Sequence, residues 1–304
     1  MVKVARGSQV LCLLAWMCSV NVSAQELTPR AYWPAPRGTK LLALGYANQS
    51  GDVVTDPSLP IIGVDSKIHS AVVAYQQTVG LFGRTSNLQL ELPYFDGQTT
   101  GFAFGESGRR EVQGFGDLGA TLSINILGAP SMNGEEFQEL RQNPRPILGA
   151  SIKIVAPTGE YEADKLINIG TNRWAVRARL GYTQPLSEKW LMEVAVGTWF
   201  FEDNDEFLGE TREQEPITAI DFSLIRRFRP GLWASLDLNY YRGGRTTILG
   251  FGGADLQRNS RAGITLVYPI KGRHAIKASV SDGVATESGG DYRIASLSYL
   301  FLIN

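Results

Sequence analysis

"RWAVRARLGYT", residues 173–183, sets three arginines into a run that otherwise reads as a buried strand. Arg173, Arg177 and Arg179 hold odd positions, while Trp174, Val176, Ala178, Leu180 and Tyr182 hold even ones. Successive side chains of a strand point to opposite faces, so one face is apolar and aromatic and the other is cationic. A soluble sheet would turn the arginines outward to water. A membrane barrel would turn them inward to an aqueous lumen.

The rest of the chain separates the two. Twelve alternating runs follow one another: 40–47, 67–79, 84–94, 114–127, 146–156, 172–183, 190–201, 216–227, 232–242, 258–268, 274–281 and 292–303. Most are ten residues or longer, whereas ordinary soluble strands average about 5–6. The connections alternate in length. Residues 48–66, 95–113, 157–171, 202–215, 243–257 and 282–291 are long and polar; 80–83, 184–189, 228–231 and 269–273 are tight turns. Residues 128–145 break the rule, and "NGEEFQELRQ" within them predicts one or two helical turns capped by Asn133.

An even number of antiparallel strands, with long loops at one end and short turns at the other, is the pattern of an outer-membrane barrel. The expected fold is therefore all-β: an antiparallel transmembrane β-barrel of about twelve strands with both termini in the periplasm. Aromatic placement agrees. Tyr46, Trp174, Phe200 and Tyr240 fall near the long-loop ends, and Tyr182, Trp190, Tyr268, Tyr299 and Phe301 near the short-turn ends, as two membrane interfaces require. The C-terminal "YLFLIN" alternates in the same way and resembles the terminal strand by which the barrel-assembly machinery recognises its clients.

The first 24 residues read as a secretory signal peptide. Lys3 and Arg6 precede an apolar stretch, Val10 to Val20, too short to span a bilayer, and Val22-Ser23-Ala24 resembles a cleavage site. Residues 25–39 are then a periplasmic leader and 40–304 the barrel. Both cysteines, Cys12 and Cys18, lie in the signal, which excludes a disulfide scaffold and a thiol nucleophile in the exported chain. A net charge of −1 argues against a nucleic-acid partner. A mean hydropathy of −0.09 is too low for a bundle of spanning helices, but suits strands whose polar and apolar residues cancel.

An arginine facing lipid near the midplane costs ~2–4 kcal/mol, so the polar face of each strand is assigned to the lumen. The expected lumen and selectivity residues are Glu91, Lys153, Arg173, Arg177, Arg179, Glu193, Asp221, Asp237, Asn239 and Lys277. Interior acids and bases either brace the wall as a salt-bridge lattice or form a charged constriction that selects solutes. Two apolar loop segments are candidates for the mouth: Ile61 and Ile62, and the glycine-flanked Ile248, Leu249 and Phe251, which form either a lid or a constriction.

"ELTPRAYWPAPRGTKLLALGYANQSGDVVTDPSLP" (26–60), "GFGDLGATLSI" (114–124) and "IVAPTGEY" (154–161) together resemble the meta-pathway phenol-degradation family of outer-membrane proteins, described as transporters. The resemblance extends over nearly all of the exported chain. It implies an outer-membrane channel for aromatic or other hydrophobic compounds, and a turn role for Pro157, Thr158 and Gly159 beside Gly116 and Asp117. It supplies no catalytic residues.

Catalytic alternatives are weaker. A serine hydrolase needs a histidine base near a serine. His69 and His274 are the two histidines, and neither has a serine at strand spacing on its own face. "FEDNDEFLGETREQE" (201–215) packs seven carboxylates without the spacing of a calcium loop, and reads as a solvated loop with a capacity to bridge lipopolysaccharide through divalent cations. "GGRTTILGFGGADLQ" (243–257) lacks the helix and lysine of a phosphate loop. No catalytic group, cofactor or metal is expected. The leading expectation is passive uptake of a small molecule through a narrow charged lumen, with outer-membrane lipid and lipopolysaccharide around it. A lipid-acting barrel enzyme and a structural or adhesive barrel acting through its loops are the alternatives.

Overall fold

A computed structural model describes residues 27–52, 61–103, 106–287 and 291–303; the signal segment lies outside them. In chain order its strands are β1 Lys40–Gly51, β2 Ile61–Leu81, β3 Arg84–Ala103, β4 Glu106–Phe115, β5 Leu118–Leu127, β6 Ile147–Ala156, β7 Ala175–Pro185, β8 Trp190–Phe201, β9 Asn204–Phe207, β10 Glu210–Gln214, β11 Ile217–Arg229, β12 Leu232–Gly243, β13 Thr246–Ile248, β14 Phe251–Gly252, β15 Gln257–Pro269, β16 His274–Ala285 and β17 Tyr292–Leu302, with one helix, α1 Gly134–Gln142.

Every pairing is antiparallel. The order runs β2-β1-β17-β16-β15-β12-β11-β8-β7-β6-β5-β3, and a β2–β3 ladder closes the ring. That makes a barrel of twelve staves. β4 is not a thirteenth: it pairs with the upper half of β3 (Tyr94 to Ala103) while β5 pairs with the lower half (Ser86 to Glu91). β4 and β5 are thus one stave, broken at Gly116-Asp117.

The break has a local cause. Pro93 opposite it has no N–H to donate, and Gly116 N–H leaves the ladder to donate to the Pro93 carbonyl at 2.9 Å. Asp117 then turns into the loop after β6. One carboxylate oxygen accepts Gly159 N–H at 2.8 Å, and the other accepts Thr171 N–H at 2.9 Å and the Thr171 hydroxyl at 2.8 Å. Thr158 Oγ1 accepts Leu118 N–H at 2.9 Å. Gly159 is required here, since a Cβ on it would sit 2.8 Å from Gly170 Cα. The Pro-Thr-Gly segment therefore latches onto the broken stave.

β2 and β3 are longer than the alternation predicts, at 21 and 20 residues. They rise beyond the ring with β4, so much of 48–66 and 95–113, expected as loop, pairs as strand instead. Pairing satisfies backbone groups that an isolated loop would leave to water. The turns at the opposite end are tight. Phe82 and Gly83 both take positive φ, at 52° and 72°, which suits the twist of a two-residue hairpin.

Large apolar residues line the outer wall, among them Leu44, Leu122, Ile152, Leu180, Val196, Ile220, Leu236, Ile264 and Leu297, all well exposed. The predicted aromatics Tyr46, Trp174, Tyr182, Phe200, Tyr240, Tyr268 and Tyr299 share that outward face. Such a belt belongs in lipid.

The short-turn end is filled. Residues 27–39, the described part of the 25–39 leader, fold back into the barrel. Tyr32, Trp33 and Ala35 join Met132 and the α1 residues Phe137 and Leu140 in an apolar cluster with inward Leu41, Leu191, Ile225, Trp233, Val267, Leu300 and Leu302. The wall is cut to receive the segment: a Cβ on Gly149 or Gly181 would overlap the Tyr32 ring. α1 runs to nine residues, longer than the predicted turns, and Asn133 caps it. The Asn133 side chain accepts Glu135 and Glu136 N–H at 2.9 and 3.0 Å, and Glu136 returns the bond at 2.8 Å.

Candidate functional site: the charged lumen

β7 carries Arg177 and Arg179 inward, with Arg173 just ahead of it at the long-loop end. Arg173 and Arg179 are 3% and 8% exposed, whereas Trp174 and Leu180, each the next residue along, are about half exposed on the outside. The same parity turns Glu193 (β8), Asp221 (β11), Asp237 and Asn239 (β12), Lys277 (β16), Lys153 (β6) and Glu91 (β3) inward.

Two ion pairs among these residues skip a strand. Lys153 Nζ lies 2.5 Å from Glu91 Oε1, with both side chains buried. β5 runs between them, and Glu91 passes over Gly119, its register partner there. A Cβ on Gly119 would come within 2.8 Å of the Glu91 side chain. Arg179 Nη2 donates to Asp221 Oδ2 at 2.8 Å across β8, passing over Gly197. Gly197 allows it: a Cβ there would be 3.1 Å from Arg179 Cγ. Asp221 also accepts Asn239 Nδ2 at 2.6 Å. Asp237 accepts the Ser235 and Thr265 hydroxyls, each at 2.9 Å, and Lys277 is the cation acting on it.

Rings and the N-terminal segment complete the lining. Arg177 stands over the Trp199 ring at 5.1 Å, and Lys153 approaches the same ring at 5.9 Å. Arg173 lies over Phe201 at 4.7 Å and donates to Gln214 of β10. Arg179 donates to Thr28 Oγ1 at 2.6 Å, and the Tyr32 hydroxyl pairs with Ser151 Oγ at 2.9 Å. Glu193 accepts the backbone N–H of Arg30 and the Thr183 hydroxyl. The Arg30 guanidinium, inside the short-turn end, is held down to about 9 by burial first and then by the charge of Arg227, with Glu193 acting in the opposite sense. It stays protonated at neutral pH. A cavity of about 70 Å³ remains at mid-depth, lined by Thr28, Tyr32, Glu91, Lys153, Arg177 and Arg179 among others.

Sequence reading missed several lining residues. Trp199 and Arg261 are inward and nearly inaccessible; Arg261 donates to Ser281 Oγ at 3.1 Å and the Tyr292 carbonyl at 3.0 Å, and stacks 4.1 Å from the Tyr292 ring. Their parity would have found both. Nothing in the local pattern announces Thr28 and Tyr32, because their place depends on a segment folding back.

The mouth residues divide. Ile248, on β13, packs against a cluster of Val112, Ile167, Ile169 and Phe207 formed by the long loops. Leu249 and Phe251 point away from it and are 64% and 79% exposed. β2 begins at Ile61, but the side chains of Ile61 and Ile62 lie outside the described residues. The acid-rich loop folds as the β9–β10 hairpin, which joins β13 and β14 in a four-stranded sheet at the long-loop end. Its buried Arg212 stands over Phe207 at 5.1 Å.

Both histidines are engaged with tyrosines of the aromatic belts. His69 Nδ1 lies 2.6 Å from the Tyr46 hydroxyl, and His274 pairs with Tyr299 and stacks on Phe301. Among the described residues, no group of three or more His, Cys, Asp or Glu side chains is placed to hold a metal ion.

Comparison with known proteins adds the following. The family model described as "Putative MetA-pathway of phenol degradation" matches residues 47–301. No curated protein matches the chain. Among solved structures, the chain is similar to an outer-membrane channel from Pseudomonas putida F1, with 22% identity, a TM-score of 0.76, and coverage of 91% of this chain and 100% of that one. The β domain of the Bordetella autotransporter BrkA is 11% identical with a TM-score of 0.52, covering 88% of this chain and 100% of that one. The translocator domain of the autotransporter NalP from Neisseria meningitidis is 9% identical with a TM-score of 0.50, covering 88% and 89%. At these identities the likeness speaks for the barrel fold.

Proposed function

This chain belongs to the family whose model spans residues 47–301, and from that premise we propose a passive outer-membrane channel for small molecules. The observation that carries this reading is the interior of the barrel. Its apolar belt faces out, its charges of both signs face in, and a cavity persists between them at mid-depth. A polar interior inside a lipid-facing wall is the arrangement that conducts water-borne solutes.

The solute class follows from the lining and the family. Rings lie beneath cations at Trp199 and Phe201. Phe201 is partly exposed, and a small aromatic compound with one polar group suits a lining that sets such a ring beside a cation. The family description, phenol degradation, names chemistry of that kind. Arg177, Arg179, Lys153 and their acids set which solutes pass, and they also hold the wall in shape. The leading signal segment exports the chain, the barrel-assembly machinery inserts it, and lipopolysaccharide surrounds its outer half. The short-turn end faces the periplasm. Residues 27–37 close that end, so passage requires them to shift.

Conductance in a planar bilayer tests the proposal. Wild-type protein is expected to conduct weakly. Deletion of residues 27–37 is expected to raise conductance several-fold, and Arg179→Ala to move ion selectivity toward cations. A silent deletion variant, with no solute flux in liposomes, would overturn it.

A further inference from the structure

A second concavity, of about 390 Å³, opens at the short-turn end between α1 and the turns that follow β7 and β11. Its wall carries Arg30, Arg141, Lys189, Arg227 and Arg229 against one acid, Glu188. Arg30 is 3% exposed and is held between Trp33 and Trp233, its guanidinium 4.7 and 5.1 Å from their ring centres. Its Nε is buried without a hydrogen-bond acceptor. Arg227 spends Nη2 on the carbonyl of Arg141 at the C-terminal end of α1, while its Nη1 is buried without an acceptor. Arg30, Arg141 and Arg227 act on one another as like charges. Glu193, on the lumen side, is engaged by the Arg30 backbone and Thr183.

Five cationic side chains against one carboxylate leave the wall strongly positive, and an oxyanion offsets that charge and matches the forked guanidinium geometry. We propose that this pocket is a binding site for a phosphate-class oxyanion, a function separate from the lumen. Phosphate rather than a small spherical anion fits, because the cations come from the N-terminal segment, α1, the turn after β7 and the end of β11, around a space wider than one ion. The pocket also borders the membrane edge. Phe228 on its rim is 52% exposed, and Arg229 stands 5.7 Å from the ring of outward Tyr268. A lipid phosphodiester headgroup and free phosphate share the recognised chemistry.

Titration calorimetry of the full-length protein in non-ionic detergent, with inorganic phosphate as the probe, tests the site. Wild type and Arg109→Gln, a change on the exposed β4, are expected to bind one phosphate alike. Arg227→Gln and Arg141→Gln are expected to weaken binding about tenfold or more, the loss of charged hydrogen bonds. Native mass spectrometry from nanodiscs of equal parts phosphatidylglycerol and phosphatidylcholine separates the sources. Retained phosphatidylglycerol that the Arg141→Gln/Arg227→Gln double variant sheds assigns the site to a headgroup. Lipid content unchanged by the double variant, with phosphate binding lost, assigns it to the free anion. Wild type that neither binds phosphate nor favours phosphatidylglycerol overturns the proposal, as does binding unaltered in the double variant. Circular dichroism and heat-modifiability on gels report whether each variant has folded. Conductance is not read, so failure here leaves the channel proposal standing.

Discussion

Glu91 and Lys153 illustrate what one residue of each sign does inside this wall. Each is almost fully buried, and each is the other's charge partner. Removing one member strands the other, which costs ~3–5 kcal/mol, whereas replacing both with residues of similar volume is close to neutral. Lys153→Met and Glu91→Gln are therefore each expected to lower the urea midpoint of the barrel in vesicles, and the double variant to recover most of the loss. A double variant whose loss equals the sum of the two single losses would show that the pair is not coupled. Parity along single strands is enough to turn these two inward, along with Arg177, Arg179, Glu193, Asp221, Asp237, Asn239 and Lys277. Which acid each base meets is not legible that way. Arg179 reaches Asp221 because β8 lies between their strands with a glycine at the crossing, and a local pattern carries no information on which glycine will face which arginine.

Among the elements, the segment ahead of β1 takes a place that its sequence does not announce. Read locally, 27–39 is short, rich in proline and without alternation, so it resembles a tether. It folds into the barrel because Tyr32 and Trp33 find an apolar cluster there, and because Gly149 and Gly181 leave a slot in the wall. Gly149→Ala would put a methyl group into the Tyr32 ring. The variant is expected to expel the segment, raising conductance and exposing residues 27–37 to protease, while Tyr32→Ala in the same background relieves the clash. Unchanged conductance and protection in Gly149→Ala would show that the slot is unimportant. α1 was partly legible, since Asn133 and Glu136 have capping-box spacing. Its role in closing the barrel end was not, because Phe137 and Leu140 are only two apolar residues in a polar stretch.

For the whole molecule, the outer belt is what places the chain in a bilayer. Leu236 sits on that belt, 58% exposed, beside inward Ser235 and Asp237. Leu236→Arg is expected to cost ~2–4 kcal/mol when the barrel folds into vesicles, the penalty for a charge in hydrocarbon. A stability equal to wild type would mean that this position faces water, and the reading of the belt would fail. Twelve staves, the closing order and the inward set follow from short-range regularities: a period of two along each strand and an alternation of long and short connections. "RWAVRARLGYT" contains that logic in miniature, for its parity already separates a lipid face from a water face. The break at Gly116-Asp117, the ion pairs that step over glycines, the folded-back segment and the basic pocket at the short-turn end needed the folded chain. Each joins residues far apart in sequence, and the physical terms involved, steric room, charge compensation and burial, take their values only once the wall has closed around them.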